Sequence, residues 1–462
     1  MPKSKCCPHA ELQHETSAYA SVAGFQRPDA DRRLAAMTRS GRNPLVAKGV
    51  GDRTLVSNIA RSATELSVAF PGPLVLPGDH LALDPKDPCQ SFRSWLLEGH
   101  RNKPTKRQKT LYVAAVPHIT AQMRHMKAWL EPKLPNGRRK IKTATASENG
   151  GVLLDEDFID YLSAFYHGMT VKPFREHLKF VPWSHKTPGS KERYVGLARG
   201  NNCTRVRARP SPDGLFSGQL NLEDILDAAI ELLPEDAYAI ILLVDHDLYE
   251  DEDDDFCCGR AYGGSRVCVV STARYHPLLD EFEDIDRAHM WPLSHCKSHI
   301  DSLCKGEYME IVNEASSRLP PMSSPIRAAI DAAENAIPSV GPEFSQGLWF
   351  SRLVRTVSHE LGHCFGIGHC NYFACVMQGT AGMAEDVRQP PYLCPVCLSK
   401  ITHAVAGELR AGGELQKEAY VTERYESLVK LCNKWKHVGL FAGYGAWARA
   451  RLETLQATPS IR

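Results

Sequence analysis

Val357-Ser-His-Glu-Leu-Gly-His-Cys-Phe-Gly-Ile-Gly-His-Cys370 decides how the rest of the chain is read. It sets His359, Glu360, His363, Gly366 and His369 in the pattern H-E-x-x-H-x-x-G-x-x-H, the active-site spacing of a zinc hydrolase. On a helix, residues four apart stand one turn and about 40° round the axis from each other, so the imidazoles of His359 and His363 reach one tetrahedral ion. Glu360 projects beside them, where its carboxylate takes the proton of a zinc-activated water as general base. Gly366 ends the helix, because a residue without Cβ accepts the left-handed turn that sends the chain back toward the metal. His369 then arrives as the third ligand.

The residues before the motif predict the helix that carries it. Phe350, Leu353, Val354, Val357 and Leu361 recur at helical spacing and form one apolar stripe. The histidine pair falls roughly opposite, so the stripe packs on a core while the histidines face a cleft. Cys364 lies on another face and reads as a packed thiol. A pair of core histidines meeting this pattern by accident would not bring five residue types at fixed spacing with it.

At 462 residues the chain has room for two or three domains, and 43% hydrophobic residues supply a sizeable core. A formal net charge of +1 gives no argument for a nucleic-acid or membrane partner. The amino-terminal MPKSKCCPHAELQHETSAYASV lacks the apolar core of a secretory signal, so the expectation is an intracellular chain, cytoplasmic or nuclear. Fifteen cysteines in that setting point to metal binding and free thiols rather than a disulfide framework.

Residues 1–66 are rich in Arg, Ser, Ala and Gly without sustained periodicity and read as a mobile extension, with Cys6, Cys7 and His9 incidental to a frayed terminus. The basic runs Lys103–Lys109 and Gly137–Lys142 flank a strand at Thr110–Val116 and a helix at Ile119–Leu130. No aromatics interleave them for base stacking, so they read as solvated loop charge. Another helix follows at Asp157–His167. Asn221 and an acidic first turn open a helix to Leu233, followed by a strand at Tyr238–Asp245. Six consecutive acids, Glu250–Asp255, precede an apolar strand at Arg266–Thr272. Residues 277–322 carry no clear pattern, and Ser324-Pro325 caps a further helix. Helix and strand alternating in this way predict an α/β fold, a twisted mixed sheet with helices packed on it.

Beyond the histidines, Cys370, Cys375, Cys394 and Cys397 form the pairs C-x4-C and C-x2-C, the ligand count and spacing of a closed structural zinc site. Because Cys370 abuts His369, an ion there would also restrain the third ligand of the first. Met377 lies eight residues past His369, where metzincins place a methionine under the catalytic zinc. Val421, Tyr425, Leu428, Cys432 and Trp435 mark an amphipathic helix, and residues 436–462 read as a tail.

With these positions filled, the chain closely resembles the archaemetzincins, whose signature joins H-E-x-x-H-x-x-G-x-x-H to C-x4-C-x-M and a later C-x-x-C. The likeness extends through Tyr161–Gly168, Gly218–Ile225, Val244–Tyr249 and Gly259–Tyr262. It implies a metzincin-like peptidase domain over residues 67–435, with a smaller, mainly helical second-zinc lobe at 370–435. It also implies zinc peptidase activity on a peptide or protein substrate, by a monomer. Two zinc ions per chain are expected: a catalytic one on His359, His363 and His369 and a structural one on the four cysteines. The strand Arg266–Thr272 is expected along the cleft as the edge strand that pairs with substrate. A non-enzymatic, zinc-stabilised peptide-binding module is the rival reading. The intact Glu360 argues against it, since a structural site needs no base.

Overall fold

The computed structural model describes residues 9–44, 63–134, 155–183, 193–304, 324–336 and 342–456. The basic run 137–142, together with Cys6 and Cys7, lies outside them. The chain divides into two compact units. One comprises His100–Phe282 and Val340–Gly366, the other Met1–Gly99, Glu283–Ser339 and Ile367–Arg462. Among the described residues no helix is long and apolar enough to cross a membrane.

The strands belong to the first unit. They are β1 (Thr110–Ala114), β2 (His118–Ile119), β3 (Thr170–Pro173), β4 (Lys179–Pro182), β5 (Tyr194–Arg199) and β6 (Asn202–Arg209), followed by β7 (Gln219–Asn221), β8 (Ala237–Val244), β9 (Asp247–Tyr249), β10 (Gly259–Tyr262) and β11 (Val267–Ser271). A five-stranded sheet has the order β10-β11-β8-β1-β3. β1 runs parallel to β3 and β8, and β8 parallel to β11, while β10 is antiparallel to β11. This is the mixed sheet that the alternating pattern predicts. Its middle strand β8 reads Ala-Tyr-Ala-Ile-Ile-Leu-Leu-Val and is buried at every position, as a central parallel strand covered on both faces must be. A six-stranded array follows the order β2-β4-β5-β6-β7-β9.

Three helices complete this unit: α1 (Asp155–Phe165), α2 (Leu222–Leu232) and α3 (Pro342–Cys364). Asn221 caps α2, its side chain accepting from Asp224 N at 3.1 Å. The stretch expected as a helix at Ile119–Leu130 is instead a 3-10 segment, Ala121–Trp129, with non-helical backbone at Met123.

The edge-strand expectation is corrected. β11 lies inside the sheet, because Gly263-Gly264 and Arg266, at φ 63°, turn the chain so that β10 folds back along it. The outer strand is therefore β10.

The second unit is helical, and two stretches expected to be loose take part in it. Residues 9–44 carry helices at Tyr19–Ala23 and Ala30–Ala36. Ala20 and Phe25 are buried with Val75 and Leu81 in one cluster. These helices span five and seven residues, too few for periodicity to betray them. Residues expected as a tail form the helix Gly439–Gln456, which packs along Pro325–Glu334 and Glu414–Lys434. Its three glycines lower helix propensity, which hides it in the sequence. Gly443 has a packing reason, since a Cβ there would lie 3.0 Å from Ala329 O. The patternless stretch after residue 277 holds short 3-10 turns and the helix Lys297–Cys304.

Trp447 anchors the last helix. It is 0% exposed, stacks on Tyr392 at 4.3 Å between centroids, and donates Nε1–H to Ala69 O at 3.1 Å. Trp447→Ala is expected to cost about 3–5 kcal/mol of unfolding free energy in urea titration, the loss typical of a large buried aromatic. A cost below about 0.5 kcal/mol, as at a surface position, would show that this helix is no part of the core.

Candidate metal centre

The active-site helix α3 is oriented by what it must bury. Phe350, Leu353, Val354, Val357 and Leu361 are all 0% exposed, and the helix packs against α1, β8, β10 and β11. Polar ties fix its rotation and height. Tyr166 donates its hydroxyl to Ser358 O at 2.6 Å, Tyr275 Oη and Thr356 Oγ1 meet at 2.6 Å, and Tyr238 reaches Cys364 O at 3.3 Å. Arg352 holds Asp280 through two hydrogen bonds of 2.6 and 2.9 Å, buried and bidentate.

With the stripe fixed, His359 and His363 project together from the other side, half-buried, their Nε2 atoms 2.9 Å apart. Two histidines on a tetrahedral zinc at about 2.0–2.1 Å would hold their nitrogens roughly 3.3 Å apart, so the pair needs only a few tenths of an ångström of adjustment. Glu360, between them in sequence, is buried beside β10, where a Cβ added at Gly259 would lie 3.4 Å from Glu360 Cγ. Burial pushes its carboxyl up to about 8, against the opposing pull of Arg260. Oε2 has no hydrogen-bond partner among the described residues. A carboxylate oxygen kept free of donors in a buried place is available to accept a proton.

Two glycines shape the end of α3. Gly366, at φ 73°, terminates it in the left-handed conformation and donates its N–H to His363 O at 2.8 Å, as the motif predicts. Gly263 crosses so close that a Cβ there would lie 2.4 Å from His363 O.

His369 belongs to the helical unit, where it lies beside His80 and Asp87. Its Nδ1 is 3.7 Å from Asp87 Oδ2, and His80 Nε2 is 3.4 Å from the same oxygen. Burial lowers the His369 imidazole below its ordinary range, while Asp87 opposes the shift. Asp87 stands on the Nδ1 side of the ring, just beyond hydrogen-bond reach, the side from which a carboxylate supports a metal-binding histidine. Sequence reasoning missed His80 and Asp87, because such a support has no fixed spacing from the ligand it orients. The backbone before His369 is also tied, with Gly368 N donating to Gln90 Oε1 at 2.9 Å and Lys400 Nζ to Gln90 O at 2.7 Å.

The four predicted cysteines come together. Cys370, Cys375, Cys394 and Cys397 are buried, and their Sγ atoms all lie within 4.8 Å of one another. Cys370 and Cys394 are 3.5 Å apart, too far for a disulfide and close to the roughly 3.8 Å edge of a tetrahedron of sulfurs at 2.3 Å from zinc. Hydrogen bonds from Cys375, Cys394 and Cys397 hold the Cys370 thiol well below its ordinary range. Four converging sulfurs with a thiolate already favoured fit a divalent ion. Met377 is buried nearby, and its carbonyl accepts from Cys370 N at 2.8 Å, closing the loop between them. Cys364 is buried beside Cys268, the packed thiol expected.

A family model for peptidase family M54 matches residues 339–403, the segment holding both ligand clusters. Archaemetzincin-2 of Homo sapiens is 23% identical over 386 residues, 82% of this chain and 78% of that protein. Archaemetzincin-2 of Macaca fascicularis is 24% identical over the same shares. The crystal structure of archaemetzincin from Methanopyrus kandleri aligns with 65% of this chain and 97% of that one at 16% identity, with a TM-score of 0.31, too low to carry an argument about the fold. Its sequence relatives and its M54 segment indicate a zinc metallopeptidase similar to the archaemetzincins.

Proposed function

We propose that the chain hydrolyses peptide bonds with a catalytic zinc on His359, His363 and His369 and with Glu360 as general base. The observation that carries this reading is the convergence of two imidazole nitrogens at 2.9 Å from one helix face, with an unpartnered buried carboxylate oxygen between them in sequence. Zinc supplies Lewis acidity there, acidifying a water and polarising the substrate carbonyl. Glu360 takes the proton of the attacking water on its carboxylate and passes it to the nitrogen of the leaving amine. Asp87 would keep the His369 ring in the tautomer that offers Nε2. β10 is the outer strand of its sheet and runs past Glu360, so an extended peptide pairing along it would pass the base.

Cys370, Cys375, Cys394 and Cys397 would hold a second, structural zinc, which suits a closed set of four sulfurs. Met377, whose carbonyl accepts from Cys370 N, would take the place that metzincins give the methionine under their catalytic zinc. The rest of that arrangement, one peptidase domain with a second-zinc lobe, belongs to the same proposal. The acidic run starts beside β10, where Glu250 pairs with Arg260, and continues against β6, where Arg209 donates to Glu252 O at 2.8 Å and to Asp254 O. Its exposed carboxylates would draw basic peptides.

Glu360→Gln is expected to keep the fold and zinc content while hydrolysis of a peptide library falls by about 10²–10⁴-fold, because it removes a base and no ligand. Activity equal to wild type would sink the assignment. Cys394→Ser is expected to contain one zinc fewer and to melt at lower temperature, since a closed zinc site contributes directly to folding free energy. Unchanged zinc content would remove the cysteines from the account. Replacing Asp251, Asp253 and Asp254 by Asn should lower kcat/KM for a Lys- or Arg-containing peptide relative to a neutral one at low salt, and the difference should vanish at high salt. An unchanged ratio at low salt would show that the acidic loop does not select substrate.

A further inference from the structure

A second set of ligating side chains, apart from those above, lies in the helical unit where three stretches of chain meet. Residues 11–13 pair with 295–297, Gln13 N donating to His295 O at 2.8 Å and Lys297 N to Glu11 O at 2.9 Å. Arg327, near the start of the helix Pro325–Glu334, donates to His9 O at 2.9 Å and to Ala10 O at 3.0 Å. These bonds bring a ring nitrogen of His9, one of His289 and Sγ of Cys296 within 4.8 Å of one another.

The proton positions on the two imidazoles follow from their partners. His9 Nδ1 lies 2.7 Å from Glu334 Oε1, and His289 Nδ1 lies 2.6 Å from Asp286 Oδ2. A carboxylate only accepts, so each Nδ1 carries a proton and the ring nitrogen left to offer a lone pair is Nε2. Both Nε2 atoms are buried without a hydrogen-bond partner among the described residues, in side chains of residues only 5% and 8% exposed. Ordinary core histidines satisfy such atoms. Here the two rings and the Cys296 sulfur, which also meets Ser298 Oγ at 3.3 Å, converge on one place, and the two unpartnered Nε2 atoms suit a cation. His299 stacks flat on His289, with centroids 3.5 Å apart and planes 2° from parallel, and so restrains that ring.

We propose that His9, His289 and Cys296 form a further structural zinc site, which staples the amino-terminal segment to the stretch around residues 286–299. Imidazole and thiolate are donors that zinc takes, the three residues leave a fourth position for a further ligand, and each histidine already has the carboxylate support that ligand histidines use. On zinc the ligand atoms would lie roughly 3.3–3.7 Å apart, inside the 4.8 Å within which they already stand. The sequence distance from His9 to His289 makes such an ion a clasp on a long loop, so its removal should loosen the amino-terminal segment first.

The test uses the whole chain with zinc as the probe. After purification and dialysis against metal-free buffer at neutral pH, zinc per chain is measured for wild type, His9→Ala and His289→Ala, with circular dichroism on each. Each variant is expected to keep the wild-type spectrum and contain one zinc ion fewer, with hydrolysis retained. Equal zinc content in wild type and both folded variants would overturn the proposal. Should a variant fail to fold, anomalous diffraction at the zinc edge from wild-type crystals decides. A peak bounded by His9, His289 and Cys296 is expected, and no peak there would overturn the site.

Discussion

A helix that must bury Phe350, Leu353, Val354, Val357 and Leu361 along one stripe has no rotation left to choose. Everything chemical about α3 follows from that constraint. The side chains at positions 359 and 363 are turned away from the sheet together, and position 360 falls on the flank next to β10. The hydrophobic contribution is large, since each fully buried aliphatic or aromatic side chain gains about 1.5–3 kcal/mol over exposure. That packing holds the two imidazole nitrogens 2.9 Å apart. The site is thus preorganised by core packing rather than by the ligands themselves. The hydroxyls of Tyr166 and Tyr275 and the Arg352–Asp280 pair refine the placement without changing its direction.

How much of this could be read from the sequence depended on whether the signal was local. The convergence of residues 359 and 363 and of the four cysteines at 370–397 was legible because metal geometry would impose fixed spacings on a helix and on short loops. The Asn221 cap and the buried strand Ala237–Val244 were legible for the same reason, one from a side chain bonding its own helix and the other from an unbroken apolar run. Asp87 and His80 were not, since they reach His369 across nearly three hundred residues of chain. The order of β10 and β11 depended on a two-glycine turn whose backbone angles no composition reveals. The amino-terminal helices and Gly439–Gln456 were hidden because short or glycine-rich segments draw their stability from tertiary packing, which periodicity does not record.

The ligand clusters share a design. Each proposed ligand set draws on residues already held by something else: core packing for His359 and His363, a backbone bond to Met377 for Cys370, and carboxylates for His9 and His289. Preorganised ligands lose little entropy on binding, and an ion bound only by the folded chain stabilises that fold by mass action. In the proposed peptidase, cysteine ligation at 370 would therefore also steady His369, its neighbour in sequence.

The central claim is that peptide hydrolysis needs the zinc ligated by the helix histidines. The most direct measurement removes metal from the purified chain with a chelator, then restores zinc in steps while following cleavage of a fluorogenic peptide library. The account predicts that cleavage falls to background without metal and returns in proportion to zinc rebound, and that a His363→Ala chain, carried through the same steps, recovers none of it. Cleavage that persists in the metal-free chain, or returns equally in His363→Ala, would contradict it.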